Sequence, residues 1–380
     1  MRSSVACGQS AGNPTCRLSR RELLKLGALA GAGVACGGIG ALGGCAGPWP
    51  ALPTELSASP SPALGRVTVA AGRGRDLGLI TRQALAALGG MEAIVSPGQT
   101  VFIKPNFLTA GLGRPEPTLT GEITKVEVVV AVAEECLRAG AAEVIIGDGA
   151  QVRQFDWEEL RTLDGSTHLA AEADRLNADY DGQVALACLN ADSPEWDVLP
   201  APRSRLEQIY VSSLAVRADR IISIPVLKTH RHAQLSLSLK NFMGVTPIAR
   251  YGGGSEARGR SALHRAVGGP ESCFLDIVEA LRPDLAVIDG SIGCEGYGPW
   301  VRPGEGRTVD LRERLGDWLV LASTDLVAAD ATAARILGYE PARVRHIRLA
   351  HEAGLGQAAA EQIALVGPAL DELRVEWQPA

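Results

Sequence analysis

From Arg66 onward the chain alternates short apolar, β-branched runs with segments of helical periodicity, and this alternation restricts the fold more than any other feature. It predicts strands over 67–71, 100–104, 143–146, 220–226, 284–288 and 317–322. Helices are predicted over 77–88, 122–139, 167–178 and 273–281, and a last one follows Asp325 and runs through Asp330 to Leu337. A strand, a helix and a second strand of the same sheet require a crossover, which makes neighbouring strands parallel. The expected class is α/β: a mostly parallel sheet flanked by helices, built as one large domain or as two lobes around a cleft. Residues 151–205 are less regular, with a hairpin around 184–199, and read as an insertion or a small second lobe.

Open sheets of this kind build their sites at the carboxyl ends of the strands. Three predicted strand ends carry suitable groups: Lys104-Pro105-Asn106, Asp148 within Gly147-Asp148-Gly149, and Asp289-Gly290. The segment 219–246 is more telling. It begins as a strand and then sets Lys228, His230, His232, Lys240 and Asn241 among apolar residues. Ionisable groups buried without partners are costly, so a cluster of them in an apolar segment announces a pocket.

Lysines there supply positive charge, and imidazole either moves protons near neutrality or ligates metals. His230, Lys240, Lys228 and His264 are therefore the candidate catalytic residues, with Lys104, Asn106, Asn241, Asp289 and Glu295 as substrate-binding residues. His230, His264 and Asp148 are the candidate ligands should a divalent metal take part. The glycine-rich run at 250–255 suits a mobile lid, since no phosphate-loop pattern is present. The long loop expected over 291–306 holds Glu295-Gly296-Tyr297-Gly298-Pro299.

Residues 1–45 resemble an export signal. Ser19-Arg20-Arg21-Glu22-Leu23-Leu24-Lys25 precedes a weakly apolar Gly/Ala run, as in twin-arginine signals, and Leu42-Gly43-Gly44-Cys45 resembles a lipobox. The expected partners are the twin-arginine translocase, a membrane reached through a lipid on Cys45, and a small molecule. The expected location is periplasmic or on the outer face of the cell membrane. The Pro/Ser/Ala-rich segment 46–65 is a linker without a core, leaving 66–380 as the folded body.

Four cysteines lie beyond the signal, Cys136, Cys188, Cys273 and Cys294, and none is in a C-x-x-C pair. An iron–sulfur cluster or structural zinc site within this chain is therefore not expected. The net charge of −6 becomes −10 once the +4 of the signal is set aside, which argues against a nucleic-acid partner.

In this order the pieces resemble the family known as domain of unknown function 362. The matching residues are Lys104-Pro105-Asn106, the strand ending at Asp148, Pro225 through Lys228-Thr229-His230, Ser238-Leu239-Lys240-Asn241 with Gly244, Asp289-Gly290, Glu295 with Gly298-Pro299, and Asp325 to Asp330. The chain departs from that pattern at Ile123-Thr124-Lys125-Val126-Glu127, where the family tends to carry a histidine. Members often carry a ferredoxin module; its cysteines are absent, so the resemblance implies no cluster here. A second resemblance, to nickel-pincer lactate racemases, rests on the order His230, Lys240, His264; the context Ser-Leu-Lys-Asn differs from the glycine-rich one of those enzymes.

Two functions fit these residues. One is an exported enzyme acting on an anionic or carbonyl-bearing small molecule, with or without a metal. The other is a lipid-anchored periplasmic protein that binds a small molecule or cofactor without turnover.

Overall fold

The computed structural model describes residues 66–252 and 259–380. The export signal and linker expected over 1–65, Cys45 included, and residues 253–255 of the glycine-rich run at 250–255 lie outside the described residues.

The strands are β1 (Val67–Gly74), β2 (Thr100–Pro105), β3 (Glu143–Asp148), β4 (Gln183–Cys188), β5 (Trp196–Ala201), β6 (Glu207–Ser212), β7 (Arg220–Ile224), β8 (Val226–His230), β9 (Gln234–Leu235), β10 (Leu285–Gly296), β11 (Gly306–Asp310), β12 (Trp318–Ser323) and β13 (Ile363–Val366). Helices of eight residues or more are α1 (Leu77–Ala87), α2 (Val126–Arg138), α3 (Leu169–Asp179), α4 (Pro270–Leu281), α5 (Leu326–Ile336) and α6 (Arg345–Glu352). The main sheet runs β13-β1-β12-β10-β7-β2-β3-β4, with β11 and β8 paired to β10 and β9 paired to β8. Along the main run every strand is parallel to the others except β12, which is antiparallel to β1 and β10. The class is α/β with a mostly parallel sheet.

Alternation within the strands shows how the sheet is covered. Val101, Ile103, Val144, Ile146, Ile222, Val287 and Val320 join α1, α2 and α3 in one core, and the intervening Phe102, Ile145, Ile221, Ile288 and Leu321 are buried as well. Burial on both faces is what a parallel sheet with crossover helices requires. Asp76 caps α1 by accepting the Leu79 N–H at 2.9 Å, and Asp325 caps α5 through Ala328 N–H at 2.9 Å, as expected for both the helix start and Asp325. Alanines let α5 sit almost wholly buried. Gly72 is required by the approach of α1: a Cβ there would lie 2.2 Å from the Ile80 carbonyl oxygen.

The structure differs from the sequence reading in four places. The strand expected over 220–226 breaks at Pro225, which has no N–H to continue a ladder; β7 pairs with β2, and β8 steps across to the far part of β10. The strand expected to end at Ile288 continues to Gly296, because Asp289 is satisfied inside the sheet and so does not break it. The hairpin is β5–β6 rather than 184–199, since β4 is parallel to β3 and forms the edge of the main sheet. Residues 151–205 thus supply α3 and β4 to the main sheet rather than standing apart as a lobe. Cys136, Cys188, Cys273 and Cys294 are buried free thiols. Among the described residues no helix is long and apolar enough to cross a membrane.

Candidate functional site

The ends of β2 and β3 lie side by side, so Lys104 and Asp148 meet although they are 44 positions apart. Lys104 Nζ lies 2.6 Å from Asp148 Oδ1 and also donates to Pro105 O at 2.6 Å, both side chains being buried. The other Asp148 oxygen accepts the Phe107 N–H at 2.6 Å. Burial lowers the Lys104 pKa, and the Asp148 charge opposes that shift. Asn241 locks the corner: its amide donates to Lys104 O at 2.7 Å and Ser223 Oγ at 3.1 Å, while its oxygen accepts from Asn106 Nδ2 at 3.3 Å.

Strand β8 brings the next groups. Its two-residue period places Lys228 and His230 on one face, and both line the same cavity as Lys104, Asn106 and Asp148. Lys228 Nζ donates to Asn106 Oδ1 and to the Glu122 carbonyl, each at 2.6 Å, and no carboxylate pairs with it among the described residues. Burial first, then the Lys240 charge, lower its pKa to about 7. A neutral amine satisfies both acceptors with its two hydrogens and keeps its lone pair free; the ammonium offers a third N–H.

Lys240 rides on a short helix, Ser238–Asn241, whose first turn is held by Asp330 of α5. Asp330 accepts Ser238 N–H at 2.8 Å and Leu239 N–H at 3.0 Å. That is the task of this buried aspartate in an otherwise alanine-rich helix. Among the described residues Lys240 has no hydrogen bond or ion pair; it is partly open to the cavity, and desolvation lowers its pKa to about 8.

The cavity has a volume of about 550 Å³. Arg260 also lines it and is the principal member the sequence reading missed. This guanidinium is buried and donates to the backbone carbonyls of Gly149, Gly244 and Thr246 and to the Thr246 hydroxyl, with no carboxylate partner among the described residues. Burial lowers its pKa to about 10. Nothing in its own sequence neighbourhood marked it as a site residue.

His230, His232 and His264 cluster at the cavity with ring centroids 5.5–5.8 Å apart, those of His230 and His264 stacked within 7°. Desolvation, then the Lys240 charge, hold His230 well below its usual range and bring His264 to about 3. His230 Nδ1 accepts the His232 N–H at 3.1 Å, so the neutral ring carries its proton on Nε2. That nitrogen is then a donor rather than a metal ligand. Asp148, committed to Lys104, is not free to complete a ligand set with the histidines. Among the described residues no three His, Cys, Asp or Glu side chains are arranged to hold a metal ion. The expected set His230, His264, Asp148 is therefore not assembled.

Asp289 and Glu295 do not line the cavity. Asp289 is fully buried against Lys125, 3.6 Å from its Nζ, and accepts the Lys125 and Ser291 N–H groups at 2.8 and 3.0 Å. Glu295 lies on β10 rather than in a loop and binds Arg307, Arg314 and the Gln378 N–H. Both carboxylates are engaged in holding β10 and its neighbours.

A family model described as Domain of unknown function (DUF362) matches residues 101–335, the stretch that holds all of these cavity groups. The chain belongs to this family. The thylakoid-associated protein sll1697 of Synechocystis sp. is 28% identical over 284 residues, covering 74% of this chain and 76% of that protein. Among solved structures, the lactate racemase apoprotein from Thermoanaerobacterium thermosaccharolyticum aligns with a TM-score of 0.34 and 14% identity, over 59% of this chain and 50% of its own. A protein from Thermotoga maritima aligns with a TM-score of 0.38 and 13% identity, over 69% of this chain and 60% of its own. The chain spans only half and three-fifths of those two structures, and likeness at this level carries no argument about chemistry.

Two glycines of the DUF362 chain form the floor of the cavity. A Cβ on Gly244 would lie 2.6 Å from Asp148 Oδ1 and 2.7 Å from Lys104 Nζ, and one on Gly149 would lie 2.5 Å from Gly244 O and 2.6 Å from Arg260 Nη2. The backbone can therefore approach the ionic groups closely only where side chains are absent.

Proposed function

We propose that this DUF362 protein is an acid–base enzyme whose cavity takes a small anionic molecule. Lys240 and Arg260 hold the charge, His230 donates a hydrogen bond from Nε2, and Lys228 exchanges a proton with the ligand. The observation that carries this reading is the charge balance of the lining: among the described residues, Lys228, Lys240 and Arg260 share one cavity with no carboxylate partner, and the one lining carboxylate, Asp148, is taken by Lys104. Unpaired buried cations reduce stability, and sites where that cost persists are commonly those where a ligand supplies the missing charge.

The roles differ from those expected for the histidines. With pKa values pushed below neutrality, His230 and His264 stay uncharged and serve as hydrogen-bonding groups, whereas Lys228, at about 7, is divided between amine and ammonium at physiological pH. Mass spectrometry of small molecules that co-purify with the protein tests the reading. Lys240→Gln and Arg260→Gln are each expected to reduce ligand occupancy at least about tenfold, as for loss of a charge-assisted hydrogen bond; unchanged occupancy in both overturns the anion site. In heavy water the wild type should introduce deuterium into that ligand and Lys228→Met should not. A binder without turnover would lose occupancy in the charge variants yet show no exchange in the wild type.

We further propose export by the twin-arginine translocase and lipid attachment at Cys45, supported by Arg20-Arg21 before the mild apolar run and by Leu42-Gly43-Gly44-Cys45. Arg20→Lys with Arg21→Lys is expected to leave precursor in the cytoplasm, as judged by fractionation. Normal export of that double variant removes the proposal, and absence of fatty-acid labelling removes the lipid.

A further inference from the structure

Resting on the anion-binding reading above, we infer that the ligand presents two negative charges, as a phosphate ester or a dicarboxylate does. The argument is one of charge matching in a desolvated space. Lys104 and Asp148 cancel at 2.6 Å, and Arg231 at the rim has Glu305 at 3.6 Å. Arg265, which also lines the cavity, is exposed and screened by solvent, so three basic groups shielded from solvent remain. Among the described residues Lys228 is bonded only to neutral oxygens, Arg260 only to carbonyls and a threonine hydroxyl, and Lys240 to nothing.

Among the described residues, the carboxylates outside the lining that act on these lysines each have a cationic partner of their own. Glu271, which acts on Lys240, pairs with Arg345 at 2.9 Å, and Glu122, behind Lys228, accepts from Arg114 at 3.1 Å and from the Val301 N–H at 2.6 Å. Lys240 and Arg260 supply two charges whatever the state of Lys228, so a monoanion leaves at least one of them uncompensated in low dielectric; a dianion matches both and leaves a charge over only when Lys228 is protonated. Leu108, Met243, Pro299 and Trp300 also line the cavity, which thus offers apolar surface to a carbon body attached to the charged end.

Calorimetric titration of the full chain at fixed ionic strength decides the matter with two matched pairs. Sulfate and methanesulfonate share a tetrahedral sulfonyl group and differ by one charge; malonate and monomethyl malonate share a carbon skeleton and differ likewise. At least one dianion is expected to bind about tenfold or more tighter than its matched monoanion, as a further charge-assisted contact in a desolvated site predicts. Preference for sulfate assigns the phosphate-type ligand, and preference for malonate the dicarboxylate. Lys240→Gln should shrink the gap between dianion and monoanion, and if that variant does not fold the wild-type comparison alone remains decisive. Equal affinities within both pairs overturn the dianion inference while leaving the anion site standing. Failure of all four to bind counts against both.

Discussion

Asp148→Ala is expected to destabilise the fold by about 3–5 kcal/mol, the usual cost of removing one partner from a buried ion pair. The variant strands the Lys104 ammonium in a site where it is 0% exposed, and it leaves the Phe107 N–H without its acceptor. It also adds an uncompensated buried cation to a cavity that already holds Lys228, Lys240 and Arg260. Urea unfolding of the two proteins at neutral pH measures the difference. Replacing both partners, Lys104→Met with Asp148→Leu, should recover much of the loss, because no isolated charge then remains. A single-variant cost below about 1 kcal/mol would place the pair among solvent-screened ones and remove the desolvation on which the charge argument rests.

Lys228→Met is expected to change stability in a strongly pH-dependent way. The folded-state pKa of Lys228 is about 7 against an ordinary 10.5, so between those values the unfolded chain binds a proton that the folded pocket releases. Wild-type stability therefore rises with pH through this window, and the penalty for charging Lys228 is fully present below about pH 7. Methionine carries no such penalty. The variant should gain relative to the wild type as pH falls from 10.5 to 7, by on the order of 5 kcal/mol in the difference between them. Against this stand the two lost hydrogen bonds to Asn106 and the Glu122 carbonyl, about 1–3 kcal/mol for each acceptor left unsatisfied, at every pH. Denaturant unfolding at several pH values separates the two effects. A gap that stays constant from pH 6 to pH 10 would mean that Lys228 is not desolvated, and its role as the proton-exchanging group would fall with it.

Such effects sit at few residues, which explains what could be read in advance. Local patterns carried the strands and the long helices, because strand and helix periods are written in consecutive side chains. The cap at Asp325 was legible for the same reason: its partner, Ala328, is three residues away. Lys104, Asn106, Asp148, Lys228, His230, Lys240, Asn241 and His264 were selected from strand ends and from ionisable groups set in apolar surroundings, and the fold brings them to one cavity.

Asp289 and Glu295 carry the same signal as Asp148, and nothing in their own neighbourhoods distinguishes them. Their separation from the site depends on partners far along the chain, Lys125 for one and Arg307, Arg314 and Gln378 for the other. Arg260 shows the converse. It owes its place to carbonyls at 149, 244 and 246 that no local pattern links to it. The reversed direction of β12 and the step from β7 to β8 at Pro225 are likewise matters of which strand lies next to which.

The amino-acid order by itself determined the α/β class, the elements and the residue types available for chemistry, since these follow from backbone sterics and from the side-chain periods of single segments. Only the tertiary structure decided which charges cancel and which remain. Desolvation and Coulomb attraction act through space, and a carboxylate 2.6 Å from an ammonium neutralises it whatever the number of residues between them.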